Sequence, residues 1–100
     1  MPLTVLAALR AEIDTIDEEI IQLLARRFSA TEQVGELKAQ HQLTAVDSER
    51  EAAQARKYHM LADAHQLNPA LVLGMFAAVI QEVVANHQKL ATRRMTESDD

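Results

Sequence analysis

The sequence predicts an all-α protein with three helices per chain, one long and two shorter. Apolar residues make up 48% of its 100 residues but aromatic residues only 3%, so the core must be aliphatic and rich in alanine. That composition favours helices. Two glycines and two prolines provide few turn signals, so the elements should be few and long, within one domain.

The first predicted helix covers residues 6–40, with Thr4 as its expected N-cap. It contains no proline, and its apolar residues recur at steps of three and four. They are Leu6, Leu9, Ile13, Ile16, Ile20, Leu23, Leu24, Val34 and Leu37. At ~1.5 Å per residue the helix is roughly 50 Å long, against a radius of gyration of ~13 Å for a compact domain of this size. Either the helix breaks or a second chain covers it.

The second predicted helix, residues 48–65, follows a break at residues 41–46. Two caps fit its start. One is Asp47, and the other is Ser48 in a capping box, where the serine hydroxyl and the Glu51 carboxylate bond each other's backbone amides. Alanine is frequent in this helix, which allows close packing against a neighbour.

The third predicted helix, residues 69–91, has the clearest start signal, with Asn68 as cap and Pro69 in the first position. Its apolar stripe holds Val72, Phe76, Val79, Ile80, Val83, His87 and Leu90. Gly74 costs ~1 kcal/mol in helix propensity relative to alanine, which suggests a packing reason. The residues after this helix have no pattern, so we expect a domain over 1–92 and a disordered tail over 93–100.

Charge and composition exclude several partners. A net charge of −5 argues against a nucleic-acid surface, although a few arginines can still form a positive pocket for a small anion. The N-terminus lacks the pattern of a signal peptide, and no run approaches the ~18 apolar residues of a membrane span. We therefore expect a cytoplasmic protein with no membrane partner. His59 and Asp63 lack a third ligand, so we expect no metal.

Three cations on the first helix indicate where a small anion could bind. Arg27 and Lys38 are about three turns apart and lie within ~20° of one line along the helix. Gly35 lies between them, either admitting a ligand or serving helix packing. Arg10 lies ~25 Å from Arg27 and points ~100° away, so it cannot reach the same site in a straight helix. An antiparallel second copy would bring Arg10 of one chain to Arg27 of the other, in an intertwined homodimer with composite sites.

Further candidates lie on the other two helices. Arg50 and Glu51 stand in the first turn of the second helix, where an arginine opposes the helix dipole but attracts anions. His87 is the only histidine on the apolar stripe of the third helix. Each also has an ordinary structural explanation, as a surface arginine, a helix cap and a core histidine. Composition and spacing alone predict a helical dimer that holds a small anion.

Taken in order, these residues resemble the all-helical class of chorismate mutase. The resemblance covers about residues 6–90 and rests on the order and spacing of a set of short motifs. The set is Leu9-Arg10-Ala11-Glu12-Ile13-Asp14, Ile16-Asp17, Leu23-Leu24, Arg26-Arg27, Val34-Gly35, Lys38, Asp47 and Arg50-Glu51. It implies an intertwined homodimer that rearranges chorismate, a dianion, to prephenate in the shikimate pathway toward phenylalanine and tyrosine, without cofactor or metal.

The resemblance also implies roles for individual residues. Arg10 from the partner chain and Arg27 would bind the two substrate carboxylates. Lys38 would contact the breaking ether oxygen and a carboxylate. Arg50 would add positive potential, and Glu51 together with the Asp47 region would hold the ring hydroxyl.

The sequence departs from the family pattern at two positions of the third helix. Many members have a small hydroxyl residue and a glutamine where this chain has Val83 and His87. We expect His87, rather than the neighbouring Gln88, to be the second donor to the ether oxygen, beside a drier wall at Val83. Lys38, His87 and Glu51 are then the expected catalytic residues.

Two other functions fit the same residues. A related helical fold hosts an isochorismate pyruvate lyase, which uses similar cations on a similar ligand. A helical regulatory or interaction subunit is the second, because some small mutases of this family gain activity by docking on the first enzyme of the aromatic pathway. Arg93 and Arg94 with the acidic tail could contribute to such docking.

Overall fold

The computed structural model describes residues 2–98, which form three helices joined by short connections. They are α1 (Pro2–Gln40), α2 (Ser48–Ala64) and α3 (Pro69–Ser98). No strand occurs among residues 2–98. The all-α class, with one long and two shorter helices, is therefore confirmed.

Helix α1 is longer than expected at its start. It begins at Pro2, and Thr4 lies inside it rather than capping it. Proline is well tolerated in a first turn, because its missing amide would have no intrahelical partner there. The helix ends where Gln42 takes a positive φ of 56° and the Leu43 amide donates to the Lys38 carbonyl at 2.8 Å. This is the hydrogen-bond pattern of a left-handed C-terminal cap.

The chain divides into two compact units, residues 1–31 and residues 32–100. Helix α1 runs through the boundary. In the first unit, the described apolar side chains are largely exposed. Five members of its predicted stripe are 42% to 54% exposed, namely Leu6, Leu9, Ile13, Ile16 and Ile20, while Leu23 is 59% exposed and Leu24 is half-buried.

In the second unit, α2 packs against α3. The rings of Tyr58 and Phe76 stack with centroids 4.0 Å apart and planes inclined by 13°. Ala62 on α2 is 1% exposed, in keeping with the close packing that its alanine-rich sequence predicts. Helix α2 ends with Gln66 at a φ of 59° and a bond from the Leu67 amide to the Ala62 carbonyl at 2.8 Å.

Side-chain caps fix the starts of α2 and α3. Asp47 Oδ1 accepts from the Arg50 amide at 3.0 Å, and Asn68 Oδ1 accepts from the Ala70 amide at 3.0 Å. The Asn68 cap is confirmed. Of the two alternatives at α2, the structure selects Asp47, which makes Ser48 the first helical residue. The Ser48 capping box does not form.

Helix α3 is longer at its end than the sequence suggested. It continues to Ser98 instead of stopping near residue 91, so residues 93–98 of the expected tail lie in the helix. Thr96 Oγ1 donates to the Thr92 carbonyl at 3.0 Å in this extension, which has no proline or glycine to end it. Asp99 and Asp100 lie outside the described residues.

The sequence analysis expected no apolar run long enough for a membrane span, and the composition of α3 corrects that expectation. By length and composition alone, Pro69–Thr96 is apolar enough to cross a membrane. None of its apolar 18-residue window is buried in the single chain, but one such helix is weak evidence of a membrane span, and α3 packs on α2 through Phe76. Gly74 has no packing neighbour in the described chain, since a Cβ atom there would meet nothing within 4 Å.

Candidate active site

Helices α2 and α3, with Val46 before α2, line a cavity of about 650 Å³ that is open to solvent. That volume falls within the range of small-molecule pockets, ~300–1,000 Å³. Its wall is largely aliphatic and aromatic, with Tyr58 and Phe76 at one end and the polar groups Glu51, Gln81 and Gln88 among the lining residues. The remaining lining residues are Val46, Ala55, Leu73, Ala77, Ile80, Val84 and Ala85. An apolar pocket with a few polar groups suits a small ligand with an apolar body.

The start of α2 directs Glu51 into this cavity. Asp47 is the N-cap, and its carboxylate accepts from the Arg50 amide, whereas a Ser48 cap would have bonded the Glu51 amide. The Glu51 amide donates to the Asp47 carbonyl at 3.0 Å, and the half-buried Glu51 side chain lines the cavity. Asp47 and Arg50 are exposed at the same helix start. The sequence-predicted residues of α2 are thus brought together, with only Glu51 in the cavity wall.

His87 occupies a different place from its neighbour Gln88. The imidazole is 5% exposed and lies against Gly35 of α1. A Cβ atom on Gly35 would be 2.5 Å from His87 Cδ2, 2.9 Å from His87 Nε2 and 2.9 Å from Leu90 Cδ1. Gln88 is exposed and lines the cavity between α2 and α3. Adjacent residues of α3 therefore contact different surroundings, and the choice of ether-oxygen donor stays a prediction.

The end of α1 supplies Lys38 to the same unit. Lys38 is half-buried and lies about one turn beyond Gly35, while Ala39 is 8% exposed. Val83, one turn before His87 on α3, is half-buried. The structure thus places a cation on α1 and an imidazole on α3 near Gly35, which marks the contact between the two helices.

Arg10 and Arg27 belong to the other unit, residues 1–31. Arg10 is exposed and Arg27 is half-buried. Their predicted part in a site with Lys38 stays a prediction. His59 Nδ1 lies 3.3 Å from Asp63 Oδ2 on the exposed face of α2. Among residues 2–98, no group of three potential ligands surrounds this pair or any other point.

The sequence analysis missed part of the cavity wall because it read α3 as one apolar stripe. Leu73, Ala77, Ile80, Val84 and Gln88 follow helical steps along the cavity face. His87 and Leu90 instead meet Gly35. Each set repeats at three or four residues, but spacing does not tell which face meets α2 and which meets α1.

Comparison with known proteins supplies the family. Residues 9–88 match the model of chorismate mutase type II. A T-protein of Haemophilus influenzae is 35% identical over 81 residues, which are 81% of this chain and 22% of that protein. A bifunctional chorismate mutase/prephenate dehydratase of Buchnera aphidicola from Schizaphis graminum is 32% identical over 88 residues, 88% of this chain and 23% of that protein. The Escherichia coli K12 protein of the same name is 29% identical over 90 residues, 90% of this chain and 23% of its own length.

The matched residues include parts of all three helices and the cavity wall with Glu51 and Gln88, so the class is that of an all-α domain with a cavity of small-molecule size. The chain belongs to the chorismate mutase type II family. It spans less than a quarter of the length of these relatives.

Proposed function

We propose that this chain is itself a chorismate mutase, which rearranges chorismate to prephenate in the cytoplasm. The observation that carries the proposal is the family match over residues 9–88, because it encloses every predicted site residue from Arg10 to His87. The cavity lined by Glu51 has a volume suited to a small ligand, but Lys38, Val83 and His87 are not among its lining residues, so the cavity supports the proposal through Glu51 alone.

The chemistry needs few groups. The rearrangement breaks one C–O bond and forms one C–C bond within a single dianionic molecule, so neither a nucleophile nor a base is required. A protein can accelerate it by holding the substrate in its reactive conformer. It can also place donors where negative charge develops on the ether oxygen, and one such donor is typically worth ~3 kcal/mol.

In the proposed site, Lys38 and His87 donate to the ether oxygen. The support for this pairing is that His87 lies against Gly35 of α1 and that Lys38 is half-buried about one turn beyond Gly35 on the same helix. Glu51 and Asp47 hold the ring hydroxyl at the start of α2, where Arg50 adds positive potential. Val83 gives the site an apolar side chain one turn before His87.

The remaining cations come from the N-terminal unit. We propose that Arg27 binds one substrate carboxylate and that Arg10 binds the other in the partner's site. The support is the apolar stripe of α1, whose members from Leu6 to Leu23 are 42% to 59% exposed in the single chain. Apolar surface on this scale is stabilised by burial against another chain. We therefore propose an intertwined homodimer.

The dimer proposal has a direct test. Arg10→Ala and Lys38→Ala chains, each nearly inactive alone, are unfolded together and refolded as a mixture. If each site takes Arg10 from one chain and Lys38 from the other, mixed dimers contain one intact site, and roughly a quarter of all sites regain activity. No gain on mixing, with mixed dimers detected by mass spectrometry, would contradict composite sites.

The function itself is tested with purified protein and two substrates. We expect chorismate to be consumed and prephenate to form, with no added metal or cofactor. Pyruvate release from isochorismate without turnover of chorismate would contradict the mutase proposal and identify the protein as a lyase. Inertness toward both would favour a binding role, such as docking on the first enzyme of the aromatic pathway.

The His87 assignment needs its own variants. His87→Ala should lower kcat by ~10²-fold, because a preorganised donor to the developing charge is lost. His87→Gln should retain most of the activity, since an amide can also donate. Gln88→Ala is the matched control on the cavity side. Full activity of His87→Ala with loss in Gln88→Ala would transfer the role to Gln88.

A further inference from the structure

The two glycines of the chain both lie inside helices, and their surroundings differ. A Cβ atom on Gly35 would be 2.5 Å from His87 Cδ2, whereas one on Gly74 would meet nothing within 4 Å. Carbon atoms in contact normally rest ~3.5–4.0 Å apart. A side chain at position 35 and the imidazole in its present place are therefore incompatible.

We propose that Gly35 is a positioning residue for His87: because it has no side chain, the Cδ2–Nε2 edge of the imidazole rests against the backbone of α1. This inference rests on the proposed function, in which His87 donates to the ether oxygen. It concerns a residue that touches no reacting atom and acts only through the ring it admits.

The neighbours of Gly35 differ in how easily they can move. Leu90 Cδ1, 2.9 Å from the added Cβ atom, is the end of a flexible side chain and can shift at small cost. His87 offers two atoms of one rigid ring, and it is 5% exposed. Interiors are close-packed, so the ring has little room to retreat. An added methyl group at position 35 must move the whole imidazole or the backbone of α1.

The position of the ring bears on the chemistry because Lys38 lies about one turn from Gly35 on α1. Moving the imidazole away from α1 separates it from the second proposed donor to the same oxygen. A misplacement of about 1 Å can cost up to ~10²-fold in rate. The loss should fall on kcat more than on KM, because the carboxylate-binding arginines are unchanged.

The test is a double-mutant cycle with Gly74→Ala as the matched control. Gly35→Ala should lower kcat by ~10-fold or more in the wild-type background. In the His87→Ala background the same substitution should change kcat by less than about two-fold, because the ring it displaces is absent. Gly74→Ala should leave kcat unchanged in both. Wild-type kcat in Gly35→Ala, or an equal loss in both backgrounds, would overturn the inference.

A second measurement follows the ring itself and does not depend on turnover. NMR signals of the histidine ring protons are compared across the variants, and the His87 signal is assigned from its absence in His87→Ala. Gly35→Ala should shift the His87 signal, while Gly74→Ala should leave it in place. An unmoved signal in Gly35→Ala would overturn the inference.

These measurements separate the inference from the proposed function. If the wild type does not convert chorismate, the proposed function fails and the His87 signal still tests positioning. If the wild type is active and Gly35→Ala is equally active, only the inference fails. Should Gly35→Ala not fold, recovery of helicity in Gly35→Ala/His87→Ala would support the contact with the ring, and no recovery would overturn it.

Discussion

The two units of this chain differ in how they bury apolar surface. Residues 32–100 contain their own contacts, including the Tyr58–Phe76 stack and the imidazole of His87 against Gly35. In the first unit, residues 2–31 are helical, and the apolar stripe from Leu6 to Leu23 stays exposed in the single chain. The difference suggests that the second unit organises most of the proposed chemistry, while the first depends on assembly. The predictions below, ordered by expected effect, test that division.

The largest effect is expected from a charge on the stripe of the first unit. Ile13→Glu should abolish assembly and activity together, because burying an unpaired carboxylate costs on the order of several kcal/mol. Sedimentation velocity and turnover measure both. Met60→Glu is the control, since Met60 is 71% exposed on α2 and should tolerate the charge. An Ile13→Glu protein with unchanged mass and activity would remove the assembly role from this stripe.

Loss of a donor in the second unit should affect catalysis without affecting assembly. Lys38→Ala should lower kcat by ~10²–10³-fold, as for other preorganised donors to a developing negative charge. Sedimentation and circular dichroism should match the wild type. Lys57→Ala, at an exposed lysine of α2, is the control. Dissociation of Lys38→Ala would contradict the division between the two units.

Removing the N-cap of α2 should lower the stability of the fold, by a smaller amount than the losses expected above. Asp47→Ala should lower the free energy of unfolding by ~1 kcal/mol, because the bond from the Arg50 amide is lost. Ser48→Ala should have little effect, since Ser48 is the first helical residue and not the cap. Chemical denaturation measures both. A larger loss in Ser48→Ala than in Asp47→Ala would restore the capping box that the structure excludes.

The smallest effect is expected where α2 ends. Gln66 has a φ of 59°, a conformation that costs most residues ~1–2 kcal/mol but not glycine. Replacing Gln66 by glycine removes this cost, but the greater freedom of glycine in the unfolded chain offsets part of the resulting gain in stability. Gln66→Gly should therefore stabilise the protein by ~0.5–1 kcal/mol.

Ala53→Gly, inside the same helix, is the control and should destabilise by ~1 kcal/mol. Thermal unfolding measures both substitutions. Destabilisation in Gln66→Gly would show that the glutamine side chain has a role of its own.

The sequence predicted elements better than their ends. Periodicity fixed three helices, and Asn68 marked the start of α3 because an amide side chain followed by proline has a distinct local role. The end of α3 could not be predicted near residue 91, since loss of an apolar pattern does not stop a helix that has no breaker. Between Asp47 and Ser48, both caps were chemically sound, and only the path of the chain selects one.

The candidate site was predictable in part. Residue types and order indicated a small anion, the family resemblance named Lys38, Glu51 and His87, and their roles stay predictions. The cavity face of α3 and the contact of His87 with Gly35 depend on how three helices pack, which spacing along one helix does not specify. The two glycines illustrate this limit. Gly74 was expected to have a packing reason and has none in the described chain, while the close contact is at Gly35.

The connection between α1 and α2 has a consequence for how the chain can evolve. Hydrogen bonds run along it, from Leu43 N–H to the Lys38 carbonyl and from Thr44 Oγ1 to the Val46 carbonyl, each 2.8 Å long. Lengthening a loop costs little closure entropy, less than ~0.6 kcal/mol for a doubling. An inserted residue would nevertheless shift the start of α2, and with it Glu51, relative to Lys38. The connection acts as a spacer, and it should tolerate changes of residue identity more readily than changes of length.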